Sequence, residues 1–120
     1  MKPEALQSLS IFQLVALYEK AAQAHGKAME DGKPRAASKQ TDIILSLHEE
    51  FRRREPEVRT AFLHMMSHES KWVRLLAATY ALRFSPNDAE AVLRELAQLP
   101  GDCGFLAGFT LDQRQKGTRE

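Results

Sequence analysis

The sequence predicts an all-α fold of about six helices, paired as antiparallel hairpins. Three observations carry that expectation. Apolar residues recur at three- and four-residue intervals along nearly the whole chain, the period of a helix with one buried face. No alternating apolar and polar run reaches strand length. The helical stretches are joined by links of a few residues, which force neighbours to pack antiparallel.

The first helix carries Ile11, Leu14, Val15, Tyr18, Ala22, His25 and Met29 on one stripe. Ser8 or Ser10 can cap its start, because a serine oxygen accepts from an orphan helix N–H. Asp31-Gly32-Lys33-Pro34 ends it, since Gly tolerates a left-handed exit and Pro cannot continue the ladder. The second helix spans about Pro34 to Arg54, with Ala37, Gln40, Ile43, Ile44, Leu47 and Phe51 inward. Pro56 suits the first turn of a third helix, where its missing N–H costs nothing. Val58, Ala61, Phe62, Met65 and Met66 are its stripe.

Ser70 caps the fourth helix. Val73, Leu76, Ala77, Tyr80 and Phe84 form one apolar face, and Leu75, Ala78 and Leu82 a second. A helix apolar on two sides is buried on two sides, which places it at the centre. Ser85-Pro86-Asn87-Asp88 breaks it and caps a fifth, whose inner face is Ala89, Val92, Leu93 and Leu96. Leu99-Pro100-Gly101-Asp102 is the next break. The last helix is expected from about Gly104 to Lys116, with a polar tail at 117–120 that frays.

At 120 residues, with 43% hydrophobic and 28% charged, the chain is expected to be one domain over 1–120, its core at about 8–116. The net charge is +1 and is balanced along the chain, so no bulk field gathers phosphate backbones or anionic lipids. Cys103 is the one cysteine, which excludes an intrachain disulfide and fits a reducing compartment. Met1-Lys2-Pro3-Glu4 has no long apolar run behind it, so a signal peptide is not expected. Charge interrupts every apolar run short of the roughly 18 residues a membrane span needs. A cytoplasmic protein with no membrane partner is the expectation.

Val-Arg stands at two helix starts, Val58-Arg59 and Val73-Arg74. Ala107 and Leu111 repeat the spacing of Ala78 and Leu82 at an offset of 29 residues. A two-helix unit recurring at about 30 residues is the mark of an α-solenoid, whose hairpins bury their faces by stacking. Val73-Arg74-Leu75-Leu76-Ala77-Ala78-Thr79-Tyr80-Ala81-Leu82 resembles the first helix of a HEAT repeat. From about Arg35 to Gly117 the chain resembles a small bacterial HEAT-like family of unknown function. The likeness is carried by Arg35-Ala36-Ala37 with Asp42, by Trp72-Val73-Arg74 leading into Ala77-Ala78, and by Gly104-Phe105 with Ala107, Thr110-Leu111 and Gly117. It implies an alpha-alpha superhelix, a short right-handed solenoid. The family tends to carry Asn at Ser38, an acid at Gly108 and Trp at Arg114, so a family site built there would be altered in this chain. Some related small helical proteins are immunity proteins that neutralise toxins, which supplies one alternative role.

Candidate chemistry is sparse. His64 and His68, four apart on a helix, could share a metal, but Met65 stands where the H-E-x-x-H pattern of a zinc protease needs Glu. His25 lies on an apolar stripe and reads as a half-buried core residue. His48 beside Glu49-Glu50 could be an acid–base pair, yet nothing near it supplies a nucleophile or an oxyanion hole. Cys103 near a helix start has no placed His partner and reads as a small packing residue. Arg52-Arg53-Arg54, with Lys33, Arg35 and Lys39, could touch phosphates. Glu49, Glu50, Glu55 and Glu57 interleave with the arginines and would neutralise them through i, i+3 and i, i+4 pairs.

No catalytic residue, cofactor or metal site is therefore expected, and the chain reads as a non-catalytic protein-interaction module of a bacterium, binding another protein. A nucleic-acid-binding helical repeat is the second alternative. Trp72 and Lys71 at a helix start, and Phe105 and Phe109 on the last helix, are the candidate partner-binding residues, although Trp72 reads more readily as a staple over that helix start or a core residue. The last helix, apolar over a broad arc, would also serve a homodimer if nothing covers it. Arg59, Arg74 and Asp42 are candidate structural residues. In HEAT-like stacks the arginines bond to carbonyls or an acid of the adjacent unit.

Overall fold

Seven helices stand among the described residues, which are 3–119 of a computed structural model. They are α1 Pro3–Gln7, α2 Ile11–Glu30, α3 Pro34–Arg53, α4 Arg59–Met65, α5 Lys71–Ala81, α6 Pro86–Leu96 and α7 Gly101–Arg119. The described residues contain no strand, and no helix is long and apolar enough to cross a membrane. The all-α expectation holds. Met1, Lys2 and Glu120 lie outside the described residues, as do the ends of the two segments read above as a leaderless start and a fraying tail.

The chain divides into two compact units, one ending at Ala61 and one beginning at Phe62. In the first, α2 and α3 form a hairpin and α1 packs on α3. Ser10, not Ser8, caps α2 through a reciprocal box: its Oγ accepts from Gln13 N–H, and Gln13 Oε1 accepts from Ser10 N–H at 2.9 Å. At the other end Gly32 has a φ of 67°. Its N–H reaches Met29 O and the Lys33 N–H reaches Ala28 O, the two bonds of a Schellman exit. Pro34 then starts α3.

The extra helix is α1, which falls wholly outside the expected core yet buries Leu6 to 1% exposure. Its anchor is polar. Arg54 donates to the carbonyls of Leu6 and Gln7, two of the acceptors a helix end leaves open. The third helix starts at Arg59 rather than Pro56. The Glu55–Pro56 peptide is cis and sits within a turn closed by Glu57 N–H to Arg54 O at 2.8 Å. Pro56 therefore shapes a turn instead of opening a helix.

In the second unit α5, α6 and α7 pack on one another. Seven of the residues of α5 are buried, among them Trp72, Val73, Leu75 and Tyr80, which makes it the doubly covered helix its pattern predicts. Phe62, Tyr80 and Phe84 form an aromatic cluster, with Phe62 stacked on Tyr80 at 4.3 Å between centroids. The α5 helix stops at Ala81, so Leu82 to Phe84 form the turn after it. The last helix is longer than expected. Gly101, which follows Pro100, takes a positive φ of 85° that favours glycine, and α7 starts there and continues to Arg119.

Candidate functional site

The outer face of α7 is the most unusual surface of the described residues. Spacings of three and four put Asp102, Phe105, Phe109, Asp112 and Lys116 on one stripe, and all five are exposed. Phe105 is 71% and Phe109 52% exposed. Phe12, Leu45, Leu63 and Leu99 are exposed too. Phe12, Leu45 and Leu63 each lack an exposed large apolar neighbour one turn away on their own helix, Leu99 lies in the α6–α7 turn, and single apolar residues on a surface need no special cause. Phe105 and Phe109 are a pair on successive turns.

Their exposure is enforced from the opposite side of the helix. Cys103, Gly104 and Ala107 are buried there. A Cβ on Gly104 would fall onto the Leu99 carbonyl, so α7 lies against the α6–α7 turn at a distance only glycine allows. The Cys103 thiol donates to Lys71 O at 3.7 Å. Further along, Arg114 Nε donates to Glu90 Oε2 at 2.7 Å and joins α7 to α6. Rolling α7 to bury its phenylalanines would break all three.

Lys71 is half-buried at the start of α5, and Trp72 is 4% exposed, with its ring in the core. The four residues expected to meet a partner thus separate: Phe105 and Phe109 lie open, Lys71 partly so, and Trp72 is enclosed. Arg74 donates to the carbonyls of His68 at 2.7 Å and Glu69 at 3.1 Å. It closes the loop leading into its own helix, whereas the expectation was a bond to an adjacent unit. Arg59 Nε lies 3.6 Å from Glu55. Asp42 is exposed and lines a shallow recess of about 390 Å³ with Pro34, Arg35, Ser38 and Lys39.

A second concavity of about 460 Å³ is lined by Glu90, Arg94, Leu111, Arg114 and Gln115. The hydrogen bond from Arg114, then the charges of Arg114 and Arg94, hold the Glu90 carboxyl below its ordinary range. One carboxylate meets two guanidiniums here, so the cluster keeps a net positive charge, and Glu90 is a poor proton donor at neutral pH. Arg114 is one of the three positions where the chain departs from the pattern it resembles. Gly108, another, has Ala97 as its nearest neighbour.

The titratable candidates are absorbed by structure. Tyr18 Oη and His48 Nε2 are hydrogen-bonded at 2.7 Å, linking α2 to α3, and Phe51 meets the Tyr18 ring edge-on. The sequence marks His48 as a chemical candidate and Tyr18 only as a stripe residue, because partners thirty residues apart leave no local signal. Glu50 is buried and binds Arg54 at 2.8 Å, with Arg53 at 3.6 Å. Two of the three clustered arginines are engaged there. His68 Nδ1 accepts from Ser70 N–H, and Cys103 is buried. Among the described residues no three His, Cys, Asp or Glu side chains converge as metal ligands.

The chain belongs to the family described as Domain of unknown function (DUF2019), whose model matches residues 12–113. No curated protein matches it. It is similar to the crystal structure of the protein RPA1889 from Rhodopseudomonas palustris CGA009. The TM-score is 0.87 with 24% identity, over 94% of each chain. That likeness speaks for the fold.

Proposed function

We propose that this DUF2019 chain is a non-catalytic protein-interaction module that docks through the outer face of α7. The observation that carries the reading is the exposed pair Phe105 and Phe109, held outward by the tight inner face of the same helix. A rigid aromatic pair gives large contact area with little side-chain entropy to lose, which is why aromatic residues dominate binding hot spots.

The frame is read as a short HEAT-like stack. Its support is the agreement in burial across the 29-residue offset: Ala78 and Ala107 are both fully buried, and Leu82 and Leu111 are both half-buried. Val58 and Val73, the apolar halves of the two Val-Arg pairs, are both fully buried. Such frames work by presenting a surface. The engagement of His48, Glu50, Cys103 and Glu90 in structural contacts supports the non-catalytic reading.

A photo-crosslinking amino acid placed at Phe105, and separately at the isolated exposed Leu45, tests the docking face in native cells. A discrete protein adduct from position 105, lost on adding Phe109→Asp and absent from position 45, is expected. No adduct from 105, or the same adducts from both positions, would overturn the reading.

A further inference from the structure

We infer that the occupant of the α7 face is a second copy of this chain, in a two-fold antiparallel pairing of α7 with itself. The inference rests on the docking reading above and names the partner. Its basis is the charge order of the stripe. The face opens with an acid, Asp102, has Phe105 and Phe109 in its middle, and closes with a base, Lys116. An antiparallel pair sets the start of one helix against the end of the other. With Phe109 facing Phe109 across the axis, Asp102, seven residues before it, comes opposite Lys116 of the second copy, seven residues after it. Symmetry repeats the ion pair at the other end, as an isologous interface requires.

The remaining members of the stripe fit the same register. Phe105 lies over the Asp112–Gln113 turn of the second copy and covers the flank of Phe109. Lys116 Nζ already stands 3.2 Å from Asp112 within its own chain, and both side chains are more than half exposed. An exposed pair of that kind is worth little, so Lys116 is free to bridge Asp112 and the incoming Asp102. Antiparallel α7 helices also set opposite ends of their dipoles together. A parallel pairing would instead oppose Asp102 to Asp102 and Lys116 to Lys116. Contacts of Cys103, Gly104 and Arg114 fix how α7 is seated, so little reorientation of the helix opposes association.

The test is sedimentation equilibrium of the full chain, with circular dichroism to verify that each variant folds. The wild type should weigh twice the 13.6 kDa chain at concentrations on the order of 10 µM. Phe109→Asp should weaken association about tenfold or more. Asp102→Lys and Lys116→Glu should each weaken it severalfold, and the two together should restore it to within about twofold, since the swap re-forms both pairs with reversed sign. A chain that stays monomeric at about 100 µM, a dimer indifferent to Phe109→Asp, or a charge swap that fails to restore pairing would overturn the inference. A monomer whose position 105 still crosslinks to a different protein would overturn only the choice of occupant. A monomer with no such adduct would remove the docking reading as well.

Discussion

His25 shows how a single residue in this chain trades chemistry for packing. It sits half-buried on the inner stripe of α2, and burial lowers its pKa from the ordinary value of about 6.5. The folded state therefore binds a proton less readily than the unfolded chain. Stability contributed by the neutral imidazole is present above about pH 6.5 and is lost as pH falls from there toward the depressed folded value. Urea unfolding followed from pH 8 to pH 5 should show stability declining below about 6.5, and His25→Leu should flatten that part of the curve. An unchanged slope in the variant would assign the pH dependence to other groups. His25 was legible in the sequence as a core histidine, because its place on an apolar stripe is local information. The Tyr18–His48 bond was not legible, since only the α2–α3 hairpin brings those atoms to 2.7 Å.

At the scale of the element, α7 is the case where sequence periodicity is least informative. Its apolar residues occupy both sides, so composition alone does not say which side is buried. The small residues decide it. Cys103, Gly104 and Ala107 admit close approach, and the phenylalanines are left outside. Two glycines of this helix should then respond oppositely to the same substitution. Gly104→Ala should destabilise the protein by about 1–3 kcal/mol, as overpacking against backbone does, because the Leu99 carbonyl occupies the place of the new methyl group. Gly108→Ala meets only Ala97 Cβ at 4.0 Å and should stabilise by up to about 1 kcal/mol through helix propensity. Thermal melts of both variants check this, and equal effects would mean that the tight approach at Gly104 is not what positions α7. The caps were more legible. Ser10 and Ser70 both accept from backbone N–H groups where their sequence context predicts, and Gly32 makes the expected left-handed exit. Pro56 was misleading because a proline serves a helix start and a tight turn equally well, and only its surroundings choose.

For the whole molecule, the distribution of charge and exposure matters more than any single group. Several ionisable residues are paired within the chain: Glu50 with Arg53 and Arg54, Glu90 with Arg94 and Arg114, Lys27 with Asp31. The surface that stands out is the exposed phenylalanine pair on α7. If that surface pairs with a second copy, folding and association are linked, and the melting temperature should rise with protein concentration. Differential scanning calorimetry over a hundredfold concentration range checks this, with Phe109→Asp expected to abolish the rise. A wild-type melting temperature independent of concentration would argue against association in that range.

Local pattern was enough for the helical class, the order of the main helices and most of their buried residues, because period, caps and breakers act over a few neighbouring positions. Contact between distant segments decided the rest. It folded α1 onto α3 through Arg54 and turned Phe105 and Phe109 outward. Each of those outcomes depends on which atoms arrive from elsewhere in the chain, and no local pattern contains that.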